Sequence, residues 1–168
     1  ARVDPALTVR VAALHALGRQ GEEAFAALRD RLSDPDVSVR MAALMALTAS
    51  DPQEASGVLV AFLATPPSSS SVEAARLLAL RDDEAEAARA GDYLLSALGH
   101  DDENLRAQAA VALSSLSTVF APDAESGAPR YEAALLARLE VETVRRVRLV
   151  LAQILLRGVG TQAAGQAA

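Results

Sequence analysis

The chain has 168 residues, enough for one domain with a hydrophobic core, and is 51% apolar but only 3% aromatic, with a net charge of −6 in which all 16 basic residues are arginine. Zero Cys excludes a disulfide framework, a Cys-ligated zinc or iron–sulfur site and a thiol nucleophile. The acidic balance argues against generic nucleic-acid or anionic-membrane binding, and no apolar run approaches the ~18 residues of a membrane span.

Apolar content made largely of Ala and Leu favours helix over sheet, and the helix-period pattern predicts nine helices. The first pair lies at 5–17 and 22–33, the second at 36–48 and 52–64. The third lies at 70–81 and 84–98, the fourth at 103–116 and 130–139, and a closing helix at 142–156. All seven prolines fall outside the predicted helix interiors, and Pro5, Pro35 and Pro52 each follow an Asp able to cap a first turn. Two stretches, 65–71 and 117–129, interrupt the array. The longer exceeds the usual ~2–8 residues between packed helices, and its Phe120 is either tucked onto the helices or an exposed anchor. Residues 158–168, rich in Gly, Ala and Gln, read as a disordered tail after a single domain at 1–157.

The helix pairs are copies of one unit. DPALTVRVAALHAL at 4–17 recurs as DPDVSVRMAALMAL at 34–47, and weaker copies stand at 71–80, 104–113 and 146–155. With Arg10 as reference, the equivalent positions are Arg40, Glu73, Arg106 and Arg148. A small column, Ala16, Ala46, Ala79 and Ala112, lets helices approach closely, and the Leu after each fills the layer between them. Asp4 and Asp34 precede Arg10 and Arg40 by six residues, and both partners vanish together in the third copy, where Pro67 and Glu73 stand instead. Joint loss is what an Asp and Arg pairing within the scaffold would produce, the alternative being a phosphate-binding stripe. The acidic runs at 82–84 and 101–103 precede helices, where they can cap amides and complement the helix dipole. They lack the alternating ligands and central Gly of a calcium loop. His15 shares a column with Met45, Leu78, Val111 and Gln153 and is expected to pack half-buried, while His100 is expected to be solvated.

Asp4-Pro5 with Val9-Arg10, and Asp34-Pro35 with Val39-Arg40, each leading into an Ala-Leu helix, resemble the HEAT-repeat family, in particular the short bacterial PBS-lyase HEAT-like type. The resemblance runs to about Leu156 and is strongest in the first two units. It implies an all-α, right-handed α-solenoid, a superhelix of antiparallel helix pairs, with an inter-repeat Asp and Arg ladder and with second helices lining the concave face. Enzymes on similar repeats leave marks that this sequence lacks: the His-Glu pairs of deoxyhypusine hydroxylases, and the aromatic side chains on a basic face of alkylpurine DNA glycosylases. The sequence also has no Gly-rich phosphate loop, nucleophile elbow or His pair at i, i+4. Neither an enzyme nor a cofactor or metal is therefore expected.

Phasing the second helices on Leu28, Leu59, Leu94 and Leu135 puts Phe25, Leu28 and Leu32 on the core and turns Glu23, Ala27, Asp30 and Arg31 outward. The outward set continues as Glu54, Val58, Ala61 and Phe62, then Arg89, Tyr93, Ser96 and Ala97, then Arg130, Ala134, Ala137 and Arg138. The expected function is a monomeric, cytoplasmic, non-catalytic scaffold that binds a segment of a protein partner through Glu54, Phe62, Arg89, Tyr93, Arg130 and Arg138. The alternative for Phe62 and Tyr93 is packing between helices. The alternative for the whole chain is a nucleic-acid-associated module, supported by 10 Arg against 19 acids over 1–128 but 6 Arg against 3 acids over 129–168.

Overall fold

The computed structural model describes residues 5–116 and 130–165. Asp4, the 117–129 segment with Phe120, and residues 166–168 lie outside the described residues. Among the described residues the chain is all-α, with nine α-helices: α1 (Pro5–Leu17), α2 (Phe25–Asp30), α3 (Val37–Ser50), α4 (Pro52–Leu63), α5 (Ser69–Ala79), α6 (Glu84–Ala97), α7 (Glu103–Ser114), α8 (Glu132–Val141) and α9 (Arg145–Gly165). Helices adjacent in the array pack on one another, as HEAT-type repeats do, within two compact units, Ala1–Leu78 and Ala79–Ala168.

In the first unit α3 is central, packed against α1, α2 and α4. Leu14, Leu28, Val39, Ala43, Ala46 and Leu47 form its core. Val39 is 1% exposed whereas its repeat-mate Val9 is 68% exposed, because α3 has neighbours on three sides. The α1 and α3 backbones come close where α1 ends: a Cβ added to Gly18 would stand 2.9 Å from both Cα and O of Ala46. Two small residues at that crossing bring the backbones together.

The second helix of this unit is shorter than the expected 22–33. A 3-10 turn at Gly21–Ala24 precedes α2 and another at Arg31–Ser33 follows it. No side chain caps α2, whose N-cap position is held by Ala24, and Gly21 enters with φ +75, the only positive φ among the described residues. At the far end Asp34 is extended, as a residue before proline prefers. By contrast α3, α4, α6 and α7 begin under the carboxylates of Asp36, Asp51, Asp83 and Asp102. For α3 this corrects the expectation, since Asp36 rather than Asp34 is the cap.

Counting from the first helical hydrogen bond corrects the repeat register. Arg40 N–H donates to Asp36 O, Arg106 to Asp102 O and Arg148 to Val144 O, while in the third copy the bond runs from Val72 to Ser68 O. Buried Val72, and not Glu73, therefore occupies the arginine position there. The slip also puts fully buried Leu78 in the small column and Ala79 in the large one, which leaves Leu80 56% exposed.

In the second unit α6 packs on α7, and both α7 and α8 pack on α9. Tyr131, just ahead of α8, is buried and its hydroxyl donates to Ala88 O at 3.1 Å. Gly91 makes the seat, since a Cβ there would come within 2.5 Å of the Tyr131 oxygen. The backbone of α9 continues to Gly165, past the tail boundary expected at 157. The alanine and glutamine of that stretch are good helix formers, and isolated glycines lower helix stability by only about 1 kcal/mol each. His15, Met45, Val111 and Gln153 are all exposed, and the slip takes buried Leu78 out of their column, so half-buried packing of His15 is also corrected. The four leucines used for phasing, Leu28, Leu59, Leu94 and Leu135, are all fully buried.

Candidate functional site

Two of the residues expected to bind a partner, Glu54 and Phe62, share a groove of about 410 Å³ between α2 and α4 in the first unit. One wall is Glu54, Gly57, Val58, Ala61 and Phe62 of α4 with Thr65 just past its end, and the other is Phe25 and Arg29 of α2 with Leu32 of the 3-10 turn that follows it. Asp51 positions the α4 wall by accepting the N–H groups of Gln53 and Glu54 at 2.9 and 3.0 Å, and Pro52 suits the first turn. Phe25, Leu32 and Val58 rest one side on the core and turn the other to the groove. Phe62 is half-buried, and Glu54 and Arg29 are exposed. A Cβ on Gly57 would meet nothing within 4 Å.

This corrects the α2 wall expected from the sequence. Ala27, Asp30 and Arg31 instead line a second groove of about 400 Å³, with Arg10, Ala13 and Leu17 of α1. Leu28 alone sits at the bottom of the α2 stripe, so its neighbours three and four residues away, Phe25 and Leu32, occupy the flank facing α4. Arg29 and Gly57 escaped the sequence reading, because neither stands in an outward repeat column.

In the second unit, Arg89 is exposed and Tyr93 half-buried one turn further along α6. Arg130 lies 3.4 Å from Asp92 and 5.5 Å over the Tyr131 ring centroid. Burial, reinforced by the charge of Asp92, pushes the Tyr131 phenol up to about 12. Arg138 is half-buried and donates to Glu142 at 2.7 Å, which gives it a task inside the scaffold.

Glu142 joins three segments. It is 1% exposed at the α8 to α9 junction and accepts from Arg106 Nε at 3.0 Å, Arg106 Nη2 at 3.2 Å, Arg138 and the Val144 N–H. Burial alone would raise this carboxyl, but the hydrogen bonds from Arg106, Arg138 and Val144 prevail and hold it down at about 2. No repeat pattern in the sequence marks this glutamate.

The arginine column is structural in both places where its bonds are described. Arg40 Nη1 donates to the carbonyls of Asp34 and Pro35 at 2.7 and 2.9 Å, and its Nε reaches Ser70 Oγ at 3.1 Å. Arg106 Nη1 does the same to His100 and Asp101 at 2.9 and 2.8 Å, while its remaining nitrogens reach Glu142. The expected partner was the Asp side chain, whereas the arginine takes backbone oxygens and Asp34 Oδ1 instead accepts from Asp36 N–H. Charge-assisted bonds to two carbonyls fix the entry to the helix and tie it to the start of the next.

Among the described residues, no cluster of His, Asp and Glu could hold a metal ion, and no helix is long and apolar enough to cross a membrane. A family model for HEAT repeats matches residues 1–81. No curated protein and no solved structure matches the chain significantly.

Proposed function

Because residues 1–81 belong to the HEAT repeats, we propose that the chain is a non-catalytic scaffold whose first unit receives a segment of a partner protein in the groove between α2 and α4. The observation that carries this reading is the opening itself. An apolar-walled cleft of about 410 Å³ with Phe25, Leu32, Val58 and Phe62 on its sides is of binding-site size, and Gly57 keeps it open. Apolar walls rimmed by single charges, here Arg29 and Glu54, are the composition of an interface whose aromatic anchors supply most of the affinity.

Of the residues expected to make contact, Glu54 and Phe62 form this groove, and exposed Arg89 with Tyr93 and Arg130 make up the proposed contribution of the second unit. Arg138 leaves the set, since buried Glu142 occupies its guanidinium. The basic stretch 129–168 supports a protein partner better than a nucleic acid. Arg130, Arg138 and Arg146 pair with Asp92, Glu142 and Glu103, Arg145 and Arg148 stay exposed, and the compact unit 79–168 that holds them is net acidic, nine arginines against thirteen acids, which disfavours phosphate.

The test is affinity capture from the native extract with the parent chain, Gly57→Trp and Phe62→Ala. Gly57→Trp fills the cleft without touching the core, and tryptophan is no worse than glycine in a helix. The proposal expects that both variants keep the circular dichroism of the parent and lose its partners. A folded Gly57→Trp chain that recovers the same partners overturns it. Titration with nucleic acid at two salt concentrations separates the other class of function, because phosphate-driven binding falls steeply with salt.

A further inference from the structure

Resting on the groove reading above, we infer that the occupant is an amphipathic α-helix of the partner, presenting an acidic side chain toward α2 and a basic one toward α4. The longer wall is the helix α4, and a helix backbone has no amides or carbonyls left to offer from its middle. The ends of α4 are closed as well. Asp51 takes the Gln53 and Glu54 N–H groups, the Ala64 N–H donates to Ala61 O, and the Thr65 N–H and hydroxyl both go to Phe62 O. An extended segment laid here would bury its own peptide groups against hydrocarbon with nothing to bond, unlike a strand added to a sheet edge. A helical segment arrives with its backbone already satisfied.

Shape agrees with that choice. From Glu54 to Phe62 the α4 wall spans about 12 Å at the rise of an α-helix, a little over two turns, which leaves room for anchors at i, i+4 and i+7. Gly57 and Ala61, one turn apart, leave a smooth strip against which a second helix can lie at close axial distance. Charge then sets the rotation of the guest. Arg29 stands on the α2 wall and Glu54 on the α4 wall, both exposed, and among the described residues neither has an ion-pair partner. A helix with an acid on one flank of its apolar stripe and a base on the other meets both.

The probe is a display library of random peptides of about sixteen residues, long enough for four helical turns, selected on the parent chain and counter-selected on Gly57→Trp. Enriched peptides are expected to show apolar residues at i, i+3 or i+4 and i+7, with an acid beside the stripe. Synthesised singly, they are expected to lose at least about tenfold in affinity when a central residue becomes Pro. They are also expected to lose affinity for Arg29→Glu and to regain it when the peptide acid becomes Lys. Peptides that need Gly57 but tolerate Pro, or that ignore Arg29→Glu, overturn the helical inference and leave the groove reading standing. A selection that enriches nothing, or only peptides that bind Gly57→Trp equally well, overturns the groove reading and the inference together.

Discussion

Two glycines predict opposite outcomes for the same substitution. At Gly18 a methyl group would be driven onto the Ala46 backbone, 2.9 Å away, so Gly18→Ala should overpack the α1 to α3 crossing and lower stability by about 1–3 kcal/mol. At Gly57 the same methyl meets open space inside α4, so Gly57→Ala should raise stability by roughly 0.5–1 kcal/mol through helix propensity alone. Urea unfolding midpoints of the two variants check both signs, and a stabilised Gly18→Ala chain would contradict the packing described at that crossing. Glu142 carries the pH dependence. Its folded value of about 2 lies below the ordinary 4.5, so the unfolded chain takes up the proton first as pH falls. The stabilisation is therefore complete above the ordinary value and disappears as pH drops toward 2, with a magnitude of the order of 3 kcal/mol. Unfolding at pH 7 and pH 3 should show a markedly smaller loss for Glu142→Gln than for the parent, since the amide has no proton to gain.

At the level of helices, the two arginines with one geometry should differ in what they hold. Arg40→Ala removes bonds to two carbonyls and a serine hydroxyl and should destabilise by about 1–2 kcal/mol. Arg106→Ala also strips a buried carboxylate of one partner and should destabilise by roughly 3–5 kcal/mol. Chemical denaturation of the two variants orders them, and equal losses would mean that Glu142 is satisfied without Arg106. The same helices show what a sequence can reveal. Helices that open on Asp, such as α4 and α6, were legible because a carboxylate before a periodic apolar run is a local signal. α2 was overextended because its ends lack any capping side chain, and its termination depends on Gly21 and the Asp34-Pro35 step. The register of α5 was misread by one because serines replace the usual acid: Ser71 N–H and Oγ donate to the side chain and carbonyl of Ser68, closing the first turn without a carboxylate. Of the groove, Glu54 and Phe62 followed from the phase of α4. Arg29 and Gly57 did not, because a cleft between two helices depends on how far apart they stand, which no single-helix period encodes.

Across the whole molecule, charge reads differently once the two compact units are known. Residues 1–78 hold seven arginines against nine acids, and 79–168 hold nine against thirteen, so both are mildly acidic and the basic C-terminal stretch is matched within its own unit. Arg130 faces Asp92 and Arg146 faces Glu103, each reaching back about forty residues. In a repeat protein each element answers mainly to its neighbours, so damage at one site should stay local. Hydrogen exchange of Glu142→Ala should lose protection in α7, α8 and α9 and keep it in α1, α3 and α4. Uniform loss along the chain would show a single cooperative block instead.

The open position on α4 has a practical consequence. The chain has no cysteine, so Gly57→Cys would place its only thiol on the groove wall, where an added Cβ meets no atom within 4 Å. A polarity-sensitive fluorophore tethered there would lie against Phe25 and Phe62 while the cleft is empty and be pushed into water once a guest displaces it. Its emission would then report occupancy directly, giving an optical assay for ligands before any of them has been identified.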